Sequence, residues 1–284
     1  MNTLSISSKS FITKLQENTK RVDKRVSDYL ADSNEATIHD VRTAIRRVDA
    51  SFRSLPKKIS KKGKVYDYAS LSKELFKINS QVRDYDIIYG KLEKYSSEPI
   101  YTELTEALKK SRNAKLRKAR KIAISLRKLS SLKIDEDGIS NKKLQKRFTK
   151  VISKFSDRIE LNFPIVLANA NNIRQLHGMR KDCKKLRYLL EILPNQDNEI
   201  AKTITQLEEV QDMLGAIHDD DITILYLRRL RQPKKVHHIL EGVISERNKK
   251  YEEFVEFSKR NLSYSKENFF NQIWSVSWES ELSS

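Results

Sequence analysis

The chain has 284 residues, with 56 Lys and Arg against 38 Asp and Glu, and its formal net charge of +18 favours a polyanionic partner. Its 6 glycines and 5 prolines are too few for a turn-rich β protein, and no stretch approaches the ~20 apolar residues of a membrane-spanning helix. Cys183 is the single cysteine, which excludes a disulfide within the chain, and the N-terminus lacks an apolar signal-like run, so a cytoplasmic protein is expected.

Apolar residues recur at helical spacing along most of the chain, which predicts an all-α fold. The predicted helices span 8–31, 35–55, 65–95, 99–130, 140–162, 170–193, 198–230 and 235–260. The stretches 60–67 and 133–142 are predicted to be loops, and Pro164 is expected near the end of the fifth helix because proline cannot continue a helix. An aromatic segment, NFFNQIWSVSW at 268–278, follows, and is expected either to pack on the fold or to bind a protein partner.

The second predicted helix separates an apolar side from a basic side. Its sequence, IHDVRTAIRRVDASFRSLP at 38–56, brings together on a helical wheel Ile38, Val41, Ile45, Val48, Phe52 and Leu55. The opposite side carries His39, Arg42, Arg46 and Arg53, with Arg47 near its edge. Like charges four residues apart disfavour an isolated helix, so an anionic partner is expected to offset them.

The sixth predicted helix, LHGMRKDCKKLRYLLEILP at 176–194, has the same layout. Its apolar side consists of Leu176, Met179, Cys183, Leu186, Leu190 and Leu193. Its basic side carries His177, Arg180, Lys181, Lys184, Arg187 and the aromatic Tyr188. At an offset of 138 residues, the matched pairs are His39 with His177, Arg42 with Arg180, Arg46 with Lys184, and Arg47 with Lys185.

Paired carboxylates follow each basic helix. VRDYDIIYGKL at 82–92 and IHDDDITILYL at 217–227 align at an offset of 135 residues. Asp84 then matches Asp219, Asp86 matches Asp221, and a weaker match at the same offset joins Arg112 with Arg247. We interpret these carboxylates as groups that hydrogen-bond and orient arginines of neighbouring helices, since the surrounding positive charge would repel a metal ion.

The matches occur in the same order in both halves, which indicates a duplicated unit of about four helices. The predicted architecture is one domain built of two repeats, about 8–132 and 140–262, that form two four-helix bundles related by an approximate two-fold axis. Two such bundles would bring the basic sides together across a shared groove. There, the planar guanidinium of arginine can donate two hydrogen bonds to one phosphate, and the ammonium group of lysine adds a compact positive charge. Histidines there are expected to be neutral in an empty groove, and a bound polyanion would favour their protonation.

Four segments together resemble the CHAD family, the conserved histidine α-helical domain: HDVRTAIRRV, QVRDYDI, HGMRKDCKKLRYLLEIL and QDMLGAIHDDDI. They occur in the family's order, and the resemblance extends over about residues 8–260. It implies two four-helix bundles with pseudo-two-fold symmetry around a basic central channel that binds inorganic polyphosphate. By position, the family's basic pattern falls on His39, Arg42, Arg46 and Arg47, and on His177, Arg180, Lys184, Lys185 and Arg187.

The full predicted binding set adds Arg53, Arg83, Arg112, Lys181 and Arg247 to those residues. Some CHAD domains are fused to a triphosphate tunnel enzyme, and no such module is seen in this sequence. The expected role is therefore binding without catalysis, with no cofactor and no metal. The sequence departs from the family pattern at Ser80, where glycine is common, and at His218, where asparagine is frequent.

Two other functions stay open. The charge permits nucleic-acid binding, but Tyr188 is the one aromatic residue interleaved with the basic stripes, and no recognition-helix or zinc motif is seen. A metal-dependent phosphohydrolase is the second alternative, with a candidate ligand set of His39, His177, His218 and Asp219. Neighbouring cations disfavour that metal site, and the first repeat has Arg83 at the position equivalent to His218.

Overall fold

The computed structural model describes residues 6–61, 63–130, 132–134, 139–193 and 198–261, and within these ranges the chain is helical with no β-strand. The α-helices are α1 (Ser8–Ala31), α2 (Glu35–Ser54), α3 (Lys57–Ser60), α4 (Gly63–Leu92), α5 (Tyr101–Arg127), α6 (Asn141–Ala168), α7 (Ile173–Leu190), α8 (Asn198–Arg228) and α9 (Pro233–Asn261). A 3₁₀ turn at Glu93–Tyr95 follows α4. The predicted all-α fold is confirmed.

Several helix bounds differ from the prediction by a few residues and the short helix α3 was not predicted, but two differences have a clear structural reason. Gly63 has a φ of 55°, a left-handed value that glycine adopts without strain, and α4 begins there, so most of the expected loop 60–67 is helical. Helix α6 continues through Pro164 to Ala168. Val166 beyond the proline is fully buried, and the Tyr251 hydroxyl donates to the carbonyl oxygens of Val166 and Leu167. Tertiary contacts thus hold the last turn despite the hydrogen bond that proline removes.

The long helices pack in an order that places α2, α4, α7 and α8 at the centre. In the first half, α1 packs on α2, α2 on α4, α4 on α5, and α5 on α1. In the second half, α6 packs on α7, α7 on α8, and α8 on α9. Contacts of α2 with α7 and of α4 with α8 join the two halves. The predicted basic helices, α2 and α7, are therefore direct neighbours.

Two hydrophobic clusters hold these helices together, and each includes residues from both predicted repeats. The larger cluster contains Phe11, Val48 and Leu75 from the first half and Phe148 and Leu186 from the second. The smaller one joins the C-terminal part of α4 and the N-terminal part of α5 to α8 and α9, through residues such as Ile88, Leu104, Leu227 and Val243. Neither half therefore buries its apolar surface by itself. The single cysteine, Cys183, is fully buried in the larger cluster.

Two of the aligned carboxylates, Asp86 and Asp221, make equivalent ion pairs in the two halves. Arg112 Nε of α5 donates to Asp86 Oδ1 of α4 at 2.5 Å, and Arg247 Nε of α9 donates to Asp221 Oδ1 of α8 at 3.0 Å. Arg247 also donates to the carbonyl oxygen of Ala170 at 2.6 Å. Each ion pair links the last two long helices of its half, α4 with α5 and α8 with α9.

No helix in the described part of the chain is long and apolar enough to cross a bilayer. The aromatic segment 268–278 lies outside the described residues.

Candidate functional site

Helices α2 and α7 each bury their apolar side, and this fixes the direction of their basic sides. In α2, the Asn34 side chain caps the first turn by accepting from the Thr37 N–H, and Ile38, Val41 and Ile45 are buried below the helix. In α7, Leu176, Met179, Cys183 and Leu186 are buried in the same way. The polar sides of both helices consequently line one groove, which is completed by side chains of α4 and α8.

The groove has a volume of about 430 Å³. It brings together eight cationic or imidazole side chains of the predicted set: Arg42, Arg46 and Arg53 from α2, and His177, Arg180, Lys181, Lys184 and Lys185 from α7. Asp84 of α4 and His218 of α8 also line it. Arg53 is partly neutralised by Asp49, whose carboxylate lies 2.6 Å from the Arg53 Nε.

An aromatic ring that the sequence did not mark as functional orients two of the arginines. The guanidinium carbons of Arg42 and Arg46 each lie 5.3 Å from the centroid of the Phe76 ring, within the range of cation–π attraction. Arg42 Nη1 also donates to the carbonyl oxygen of Asn79 at 3.0 Å. Phe76 and Asn79 both belong to α4, so that helix positions the α2 guanidiniums.

The crowded cations disfavour one another's charge. Burial, together with Arg46 and Arg180, lowers the pKa of Lys184 from 10.5 to about 6. Burial and Arg46 lower the pKa of Arg42 to about 9, and burial lowers the pKa of Arg180 although Asp219 opposes the shift. The buried Nε of Arg180 has no hydrogen-bond partner among the described residues. The groove thus holds more positive charge than its own carboxylates balance.

Two histidines of the groove contact each other. His177 Nδ1 lies 3.0 Å from His218 Nδ1, and the ring centroids are 4.3 Å apart. Burial and Lys181 lower the pKa of His177 to about 4, and burial and Arg180 lower the pKa of His218. His39 does not line the groove. Its side chain is largely exposed, with its Nε2 at 3.4 Å from the Thr43 hydroxyl. Partial desolvation of the ring and the charge of Arg46 lower its pKa.

With this geometry established, comparison with known proteins identifies the family. The family model of the CHAD domain matches residues 13–228, more than half of the chain. The chain belongs to the CHAD family. The resemblance seen in the sequence is thereby confirmed.

The CHAD fold is also found in a solved structure. The chain is similar to the crystal structure of the CHAD domain from the plant Ricinus communis, with a TM-score of 0.60 and 13% sequence identity. The match covers 97% of this chain and 93% of that chain. At this identity the likeness shows the fold alone. A search of curated proteins gave no match.

Several predicted binding residues of this CHAD domain lie outside the groove. Arg47 pairs with Glu191 at 3.1 Å and covers the Tyr188 ring, while Arg187 pairs with Glu208 and donates to the Tyr188 hydroxyl. Arg83 pairs with Glu35. Arg112 and Arg247 form the structural pairs with Asp86 and Asp221 described above. These five arginines are therefore held by partners in the protein and are not counted among the groove residues.

The remaining carboxylates of the prediction lie among cations. Burial raises the pKa of Asp84 and of Asp219, and Arg42 and Arg180 respectively oppose these shifts most strongly. The described residues contain no group of three or more His, Cys, Asp or Glu side chains that could hold a metal ion. The candidate metal set of His39, His177, His218 and Asp219 is thus not brought together as a ligand cluster.

Proposed function

We propose that this CHAD domain binds inorganic polyphosphate, or a polyanion of similar charge density, in the groove between α2, α4, α7 and α8. The role is binding without catalysis. The observation that carries the proposal is the concentration of Arg42, Arg46, Arg180 and Lys184 around one groove. Burial lowers the pKa values of all four, and neighbouring cations lower them further.

A bound polyphosphate would remove the repulsion within this cluster. Phosphate oxygens accept from guanidinium N–H groups in charge-assisted hydrogen bonds, which are about twice as strong as neutral ones. The unpartnered Nε of Arg180 is a buried donor that such an oxygen would satisfy. Arg42 and Arg46 are already oriented by Phe76, so that less side-chain entropy is lost when the anion binds.

The aromatic rings of the site argue against nucleic acid as the preferred ligand. Base stacking requires an accessible aromatic face. The Phe76 ring carries the guanidiniums of Arg42 and Arg46, and the Tyr188 ring carries those of Arg47 and Arg187. Tyr188 is also only 4% exposed. The site therefore offers charge to a phosphate backbone but little surface on which a base would stack.

The decisive test is the affinity for long-chain inorganic polyphosphate of an Arg42→Ala/Arg180→Ala variant. At about 1.5 kcal/mol or more for each charge-assisted hydrogen bond, the loss is expected to reach roughly 100-fold. The matched control is Arg127→Ala/Arg229→Ala, which removes the same charge from exposed positions outside the groove and should change affinity by less than about threefold. Circular dichroism checks that both variants stay helical. Equal losses of polyphosphate affinity in the two variants would show that polyphosphate does not bind in the groove.

A competition experiment separates polyphosphate from nucleic acid. Polyphosphate bound to the wild type is challenged with single-stranded RNA at equal phosphate concentration. If the groove binds a base-free phosphate chain, RNA should displace little of it. Full displacement by RNA would favour the nucleic-acid alternative instead.

A further inference from the structure

The contact between His177 and His218 has a chemical consequence that two separate histidines would not have. The two Nδ1 atoms lie 3.0 Å apart, a hydrogen-bond distance, and both side chains line the groove. In the neutral pair, the Nδ1–H of one ring donates to the Nδ1 lone pair of the other. The donor ring then has an unprotonated Nε2, and the acceptor ring has a protonated Nε2.

This arrangement limits how many protons the pair accepts. A proton from solvent can add to the free Nε2 of the donor ring, which turns that ring into an imidazolium and keeps the shared hydrogen bond. A second proton would have to add to the accepting Nδ1. Two N–H groups would then face each other, and the hydrogen bond would be lost. The pair therefore takes up one proton, and its two rings share one positive charge.

The surroundings decide when this proton is taken up. Arg180, Lys181 and Lys184 of α7 act electrostatically on the pair. The other charged side chains that line the same groove are Arg42, Arg46, Asp49 and Arg53 of α2, Lys73 and Asp84 of α4, and Lys185 of α7. Asp219 is the neighbour of His218 on α8. Burial and, after it, Arg180, Lys181 and Lys184 lower the pKa of both histidines, so the pair is neutral in the empty groove at neutral pH. A phosphate oxyanion in the groove reverses the sign of the nearest charge and favours the imidazolium.

We propose that His177 and His218 together form a phosphate-binding site of the groove that accepts one proton when the polyanion binds. The inference rests on the polyphosphate function proposed above, and it assigns a binding role to His218, which the sequence had placed only in a metal alternative. Binding is then coupled to proton uptake, and the affinity rises as the pH falls.

The experiment measures the affinity of the full chain for long-chain inorganic polyphosphate over roughly pH 6 to 8 at constant ionic strength. It compares the wild type with His177→Asn/His218→Asn, because a single remaining histidine could still take up one proton, and it uses His237→Asn as a control because His237 is exposed on α9. Calorimetry in two buffers of different ionisation enthalpy counts the protons taken up for each bound protein. Lys184 is present in all three proteins, so its own titration contributes to the pH dependence of each of them.

The wild type and His237→Asn should gain affinity as the pH falls, by up to about tenfold more per pH unit than His177→Asn/His218→Asn, and should take up about one more proton. Uptake of about two more protons would show that the two rings titrate independently and would overturn the shared site. Equal pH slopes and equal proton counts, with polyphosphate still bound, would overturn the role of the pair alone. Absence of binding at every pH would overturn the proposed function as well. If His177→Asn/His218→Asn does not fold, nitrogen NMR of the wild-type imidazoles serves instead: addition of polyphosphate should protonate one ring of the pair, and unchanged shifts would overturn the inference.

Discussion

At the scale of single residues, Phe76 determines how the guanidiniums of Arg42 and Arg46 are oriented in the groove. Its ring lies under both Arg42 and Arg46, each at 5.3 Å. We expect Phe76→Leu to lower polyphosphate affinity by roughly 5- to 30-fold, because two cation–π contacts of about 0.5–1 kcal/mol each are lost while the apolar volume is largely kept. Fluorescence anisotropy with labelled polyphosphate measures the loss.

Phe163→Leu is the control for that substitution. Phe163 is also a partly buried phenylalanine packed on the larger hydrophobic cluster, but it lies on α6 outside the groove. Phe163→Leu should lower the free energy of unfolding without changing the affinity for polyphosphate. If both variants bind as tightly as the wild type, Phe76 does not position the arginines.

Lys184 links stability to pH. Its pKa is about 6 in the folded protein and 10.5 ordinarily, so between these pH values the unfolded chain binds more protons than the folded one. Stability is therefore reduced below about pH 6 and recovers as the pH rises toward 10.5. Lys184→Met removes this cost, and we expect it to raise Tm at neutral pH by roughly 2–4 °C, equivalent to about 1 kcal/mol.

Thermal unfolding of the wild type and of Lys184→Met at pH values near 6 and near 9 tests whether Lys184 makes stability rise with pH. The wild type should gain more stability over this interval than the variant does. Polyphosphate affinity should fall in Lys184→Met, because the bound anion would otherwise restore the lysine charge. A variant that is less stable at both pH values would show that Lys184 contributes packing rather than an electrostatic cost.

The adjacent arginines of α2 show what the sequence could and could not predict at this scale. The helical wheel placed Arg46 within the basic side and Arg47 at its edge. In the fold, Arg46 lines the groove, whereas Arg47 pairs with Glu191 beyond the end of α7. Periodicity within one helix gives the direction of a side chain but not the neighbouring helix that it meets. A cation that binds a ligand and a cation that pairs with a carboxylate therefore look alike in the sequence.

At the scale of helices, the buried carboxylate of Asp220 joins three elements. It is fully buried on α8, Lys91 Nζ of α4 forms an ion pair with its Oδ1 at 2.6 Å, and its Oδ2 accepts from Lys250 of α9. Lys91→Met/Lys250→Met leaves this charge without a cation and is expected to cost about 3–5 kcal/mol. Asp220→Asn should cost less, because both lysines are partly exposed and can reach water.

Urea unfolding of the two variants measures this difference directly. The free energies are compared at equal ionic strength, and the slope of each transition shows whether unfolding stays two-state. An Asp220→Asn protein that is less stable than the double lysine variant would contradict the prediction that loss of the lysines costs more than loss of the carboxylate charge.

The internal repeat explains why some helix contacts were predictable and others were not. The alignment at 135 residues paired Asp86 with Asp221 and Arg112 with Arg247, and the fold shows the same ion pair at both places. Asp220 has no such counterpart, since Tyr85 occupies the equivalent position. The helix bounds followed from apolar periodicity. The continuation of α6 through Pro164 did not, because it depends on Tyr251 of a distant helix.

At the scale of the whole molecule, the net charge of +18 and the local groove make separable contributions to polyanion binding. A diffuse positive surface attracts any polyanion and is screened by salt over about 8–10 Å at physiological ionic strength. The groove adds partly buried cations, for which screening is weaker. Binding to the surface and binding to the groove should therefore respond differently to salt and to groove substitutions.

The last prediction uses the stability of the domain to distinguish these two contributions. A ligand that binds only the folded state at about 100 times its Kd stabilises it by roughly 2.7 kcal/mol, so polyphosphate should raise Tm by several degrees at low salt. Raising salt from about 50 to 200 mM should shrink this shift, because counterion release weakens polyanion binding. Arg42→Ala/Arg180→Ala should lose most of the shift at both salt concentrations, whereas Arg127→Ala/Arg229→Ala should keep it. Differential scanning fluorimetry measures all of these values, and an equal shift in the two variants would place the bound polyphosphate on the general surface rather than in the groove.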